Sequence, residues 1–181
     1  METAIKKDLI SFWYKYLSDR TSYPCFLDTV ELSDEDIKGY GGYPIIKFNV
    51  IEVDSTSEGI LPTSKDIGEI EETYNFQARY MLEFNVYSRG NKPANVDKLL
   101  YELSNSNIFS RYANSIDKTN LRFKDLVLRD EINITNVNEF LQDQSVTRYR
   151  YQQQFLAEVV TNYIIPKAKT AIIEEVKEWD W

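Results

Sequence analysis

From Thr73 to Ser88 the chain alternates without a break. Tyr74, Phe76, Ala78, Tyr80, Leu82, Phe84 and Val86 fall on even positions, and Thr73, Asn75, Gln77, Arg79, Met81, Glu83, Asn85 and Tyr87 on odd ones. Successive side chains of an extended strand point to opposite faces, so this is a long strand with one face on a core and the other wet or partly covered. A strand of that length must find partners in a sheet, because its backbone groups and apolar face cannot otherwise be satisfied. Residues 146–165 alternate again: Thr147, Tyr149, Tyr151, Gln153, Phe155, Ala157 and Val159 are opposed by Arg148, Arg150, Gln152 and Gln154. From Leu156 to Ile165 both faces turn apolar, the pattern of an element buried on two sides.

The other segments supply what packs on such a sheet. Ile5, Leu9, Phe12, Trp13 and Tyr16 recur at helical spacing, predicting a helix over 2–18 that docks an aromatic stripe on the sheet. Residues 25–31 and 43–53 are rich in β-branched and aromatic types and read as strands. Between them LSDEDIKGYGGY reads as a surface loop; its glycines lack phosphate-loop spacing, and Asp34-Glu35-Asp36 would repel phosphate. The polar stretch 54–72 reads as a long loop, 88–91 as a turn, and Pro93 followed by Val96, Leu99, Leu100 and Leu103 as a helix. Residues 105–120 read as irregular, 121–137 as a strand, 138–144 as a short turn or a single helical turn, and 168–178 as a terminal strand or, alternatively, a helix. The order predicts one α+β domain over 1–181, a mostly antiparallel sheet flanked by two or three helices.

Composition removes several kinds of chemistry. The chain has no histidine, which excludes Ser-His-Asp and Cys-His nucleophiles and imidazole metal sites. One cysteine, Cys25, allows no internal disulfide and reads as a small buried apolar residue in a reducing cytoplasm. Lysine and arginine number 21 against 29 acids, a net charge of −8, which disfavours binding to a nucleic-acid backbone. The N-terminus carries charge throughout and no stretch nears a membrane span, so neither a signal peptide nor a membrane partner is expected. The carboxylate pairs Glu71-Glu72, Asp130-Glu131 and Glu174-Glu175 are adjacent, and neighbours on a strand diverge, so no acid–base pair follows from them. We therefore expect no catalytic residue, metal or cofactor. With 13 Tyr, 9 Phe and 3 Trp, not every ring fits one core, and exposed tyrosines suit contact surfaces between proteins.

Taken in order, the amphipathic helix IKKDLISFWYKYL (5–17), the strand YPIIKFNVIEV (43–53), the alternating strand and turn YNFQARYMLEFNVYSRG (74–90), the Leu-rich helix NVDKLLYELSNS (95–106) and the Arg-bearing strand SVTRYRYQQQFLAEVV (145–160) resemble the phage neck and tail-terminator (head–tail joining) family. The resemblance spans nearly the whole chain and rests on element order, without a chemically diagnostic motif. It implies a curved antiparallel sheet, and a non-enzymatic virion protein assembled as a ring, commonly a hexamer. Such a ring ends the tail tube and docks it to the head–tail connector. DNA would pass through the lumen without specific binding, repelled by whatever part of each chain's −8 faces it. The residues expected at subunit contacts are Arg148 and Arg150, pairing with acids of a neighbour, and Tyr40, Tyr43, Asp34, Glu35 and Asp36 on the exposed loop. The alternative is a monomeric α+β ligand-binding or enzymatic domain with 54–72 as a lid.

Overall fold

In the computed structural model the two alternating segments become strands paired along their whole length. The structure describes residues 2–56, 65–66, 70–90, 94–118, 121–137 and 145–165, with backbone alone at 2–4, 54–56, 65–66, 70–76, 130 and 160–165. The elements in chain order are α1 (Glu2–Thr21), β1 (Cys25–Leu27), α2 (Asp34–Gly39), β2 (Ile45–Thr56), β3 (Lys65–Asp66), β4 (Ile70–Arg89), α3 (Asp97–Leu103), α4 (Ser106–Ser115), β5 (Phe123–Asn136) and β6 (Val146–Ile165). They form an α+β fold around one six-stranded sheet of order β1-β2-β4-β6-β5, with β3 pairing β4 off that path. Among these strands β1 and β2 run parallel, and the other pairings are antiparallel.

Register sorts the side chains into two faces. One carries Ile46, Phe48 and Val50 of β2, Ala78, Tyr80, Leu82, Phe84 and Val86 of β4, Phe155, Ala157 and Val159 of β6, and Phe123 and Leu126 of β5, all buried. Against it lie Leu9, Phe12, Trp13 and Tyr16 of α1, Leu99 and Leu103 of α3, and Phe109 and Ala113 of α4, in a single core cluster. Trp13 is fully buried and sits at the centre, 5.4 Å from the Phe109 ring, 5.1 Å from Phe155 and 5.3 Å from Phe12. The aromatic stripe of the opening helix thus docks on the sheet. Cys25 is buried in the same core, and burial pushes its thiol up to about 11. The exposed rings among the described residues are all tyrosines: Tyr14, Tyr40, Tyr101 and Tyr149.

Several sequence expectations are corrected. The strand expected over 25–31 stops at Leu27, where the Val30 amide turns back to the Leu27 carbonyl. The loop expected over 32–43 contains α2, begun by a capping box: the Ser33 hydroxyl accepts from the Asp36 amide, while the Asp36 carboxylate accepts from the Ser33 amide. Gly41 and Gly42, at φ +98° and +82°, then turn the chain out of the helix, a backbone region that suits glycine. The stretch 54–72 is not all loop, since β2 runs to Thr56 and β3 and the start of β4 fall inside it. Residues 105–120 hold α4, whose first turn is capped by the Asn105 side chain. Residues 57–64 and 67–69, Pro93, the turn over 138–144 and the strand or helix expected over 168–178 lie outside the described residues.

Candidate functional site

The second face of the sheet is where the sequence-predicted contact residues gather. In register it presents Ile45, Lys47, Asn49 and Ile51 on β2, Tyr87, Asn85, Glu83, Met81 and Arg79 on β4, Arg148, Arg150, Gln152, Gln154 and Leu156 on β6, and Arg129 and Val127 on β5. Its two ends differ in cover. At the β1 end, α2 and the 28–44 segment lie over it. The Tyr40 ring packs 5.0 Å from that of Phe26, Lys47 Nζ donates to the Val30 carbonyl at 2.7 Å, and Asp34 lies 3.8 Å from Arg89. Ile37 and Ile45 are buried there, apart from the main core.

In the middle of the face a polar row is tied together across β4 and β6. Arg148 Nε donates to Asn85 Oδ1 at 3.0 Å, and its guanidinium stands 5.3 Å from the centre of the Tyr87 ring. Arg150 Nε is 3.6 Å from Glu83 Oε1, and Gln152 Nε2 donates to Glu83 Oε2 at 2.8 Å. Burial raises the Tyr87 hydroxyl pKa, and the nearby Arg148 pulls the other way. Arg148 and Arg150, read from sequence as seeking acids on a neighbour, therefore have Asn85, Tyr87 and Glu83 of their own chain beside them. Sequence reading missed Glu83 and Asn85 in this role because the register joining residues 83 and 152 is not a local property of either segment.

The remaining predicted residues lie at the α2 corner. Asp34, Glu35, Asp36 and Tyr40 are exposed, Tyr40 at 58%. The hydrogen bonds Asp36 accepts from Ser33 hold its carboxyl below the usual carboxylate range, so Asp36 serves the helix cap. Tyr43 precedes Pro44 through a cis peptide and stands near Tyr87. Thus α2, its flanks and β6 bring the predicted residues to one face, with the acids on the corner and the arginines on the strands.

At the β5 end the same face is open among the described residues. Arg79, Arg129, Gln154 and Leu156 line a depression of about 400 Å³ that no sequence argument singled out. Among the described residues no group of three His, Cys, Asp or Glu side chains is placed to hold a metal, and no helix is long and apolar enough to cross a membrane.

The arrangement defines an α+β chain with a helix-packed sheet face and an opposite face of arginines, glutamines and tyrosines. No protein-family model and no curated protein matches the chain. Of the solved structures that are similar, one matches 87% of this chain over 95% of its own length, at 10% identity and a TM-score of 0.44.

Proposed function

We propose that this chain is a ring-forming structural protein at the head–tail joint of a tailed phage, one that ends the tail tube and docks it to the connector, without catalysis. The observation that supports this reading is an unfinished sheet. Among the described residues strand β5 pairs with β6 and with no other strand, and an open depression lies in the second face beside it. Free strand edges and open sheet faces are liabilities in a monomer and contact surfaces in an assembly. Val127, on the second face of β5, is 43% exposed, and Ile134 of β5 and Tyr149 of β6, on the helix-packed face, are 51% and 39% exposed, so apolar and tyrosine surface flanks this edge on both faces.

The test is the mass of the purified chain by light scattering across a concentration series, with negative-stain images, alone and with tail tubes. Closed rings, or rings appearing on added tube ends, are the expected result. A monomer at every concentration that ignores tail components ends this reading.

A further inference from the structure

We propose that the open end of the second face is the acceptor for an acidic corner of another copy: the Arg79–Arg129 depression of one chain receives Asp34 and Glu35 of the next. This rests on the ring-forming reading above and names the surfaces that would build it.

Two arginines set the acceptor apart. Arg79 on β4 is in register with Leu156 on β6, and Arg129 on β5 with Gln154, so the two arginines lie diagonally across β6 on one face. Both are exposed, and among the described residues neither is in an ion pair. Two neighbouring acids are engaged, Glu83 with Arg150 and Gln152, and Glu158, 3.8 Å from Lys124; on the other side of Arg79 its register partner across β2 is Asp54. In a chain with eight more acids than bases, two exposed arginines sharing one depression are the unusual feature. Leu156 between them and exposed Val127 give the depression an apolar floor and rim.

The α2 corner is its complement in charge and in apolar content. Asp28, Glu31, Asp34 and Glu35 are exposed, and apart from the contact of Asp34 with Arg89 their carboxylates make no ion pair among the described residues. Exposed Val30 and Tyr40 stand among them. A guanidinium fork donates two parallel hydrogen bonds to a carboxylate, so paired arginines suit paired acids better than one charge of either kind.

Geometry fixes the kind of assembly. Strand β1, over which α2 lies, and strand β5 are the two ends of the sheet's strand order. A contact from one end to the other uses two different patches, so it repeats head to tail and closes into a ring when the rotation allows. A charge-matched contact of this sort forms quickly and weakens with salt.

The experiment uses the full chain and three variants: Arg79→Glu with Arg129→Glu, Asp34→Lys with Glu35→Lys, and all four together. All sites are exposed, so each variant should keep the wild-type melting temperature, checked by circular dichroism. Each double variant is expected to weaken self-association at least tenfold by sedimentation velocity. The fourfold variant should regain most of it, because the reversed charges match again. Rings that form equally well in both double variants overturn this contact while leaving the ring reading intact. Rings lost in the double variants and not regained in the fourfold one also overturn the pairing. A wild-type chain that is monomeric throughout, alone and with tail tubes, removes the ring reading and this contact with it, and an assembly that stops at a dimer overturns the head-to-tail arrangement.

Discussion

Glu102 is a nearly buried acid set where three helices meet. Its carboxylate accepts the Tyr16 hydroxyl of α1 at 3.3 Å and lies 2.6 Å from Arg20 Nε. The Arg20 guanidinium also stands 4.5 Å from the centre of the Tyr112 ring on α4, whose hydroxyl donates to Asp19 at 3.0 Å. Removing one member of a largely buried pair leaves the other charge without compensation, so Glu102→Ala should cost about 3 kcal/mol. Glu102→Gln should cost less, since an amide oxygen still accepts from Tyr16. Urea midpoints of the three proteins check this, and equal midpoints would show that the pair contributes no net stability. On the second face, Glu83→Ala removes the acid that serves both Arg150 and Gln152, for an expected loss of about 1–2 kcal/mol. The same urea titration reads that loss. None of these partnerships was legible in the sequence, because residues 20 and 102, or 83 and 150, are brought together only by the fold.

Element α2 shows how a short helix can be written in few residues and still be overlooked. Its signal was Ser33 followed three residues later by Asp36, a capping box hidden among glycines and acids that read as a loop. Ser33→Ala should destabilise this helix by about 1 kcal/mol. The expected readout is faster hydrogen exchange at the Ile37 and Tyr40 amides, which bond back to the Ser33 and Asp36 carbonyls, with little change in global melting. Unchanged exchange there would mean that the cap is not what holds α2. Element α4 was overlooked for a related reason: Asn105, Ser106, Asn107 and Ser110 lower the apolar density around Phe109 and Ala113, although those two lie one turn apart and both are buried. By contrast α1 and the long strands were legible because their apolar period is unbroken over many residues. Within α1, Trp13→Ala should cost about 3–5 kcal/mol, seen as a lower urea midpoint, because its ring is fully buried among Phe12, Phe109 and Phe155.

Across the whole molecule, burial sets how stability responds to alkali. Burial raises Cys25 from 9.0 to about 11, and burial with the Asp19 contact raises Tyr112 from 10.0 to about 12. In both cases the fold favours the protonated form, so the folded pKa lies above the unfolded one. Their contribution is therefore complete below about pH 9 and is lost as pH rises through about 11 for Cys25 and 12 for Tyr112. For buried Cys25 the loss should reach roughly 2–3 kcal/mol, since each tenfold change in proton affinity between the folded and unfolded chain is worth about 1.4 kcal/mol. Urea titrations from neutral pH to about pH 11 should show that decline, and Cys25→Ala should flatten its lower part. A wild-type curve level across that range would mean that the thiol ionises in the fold as it does in water.

At this scale the division between sequence and fold has a physical cause. Period and composition are local, so the chain by itself determined the α+β class, the strands over 73–88 and 146–165, the alternation of their faces, and the burial of the opening helix's stripe. Pairing is not local. Only the tertiary structure put β6 between β4 and β5 and set its register, and that register gives Arg150 the acid of Glu83 while placing Arg79 and Arg129 at the open end of the same face. Which arginine meets an acid of its own chain depends on what lies across the strand, about 5 Å away in space and roughly seventy residues away in the sequence.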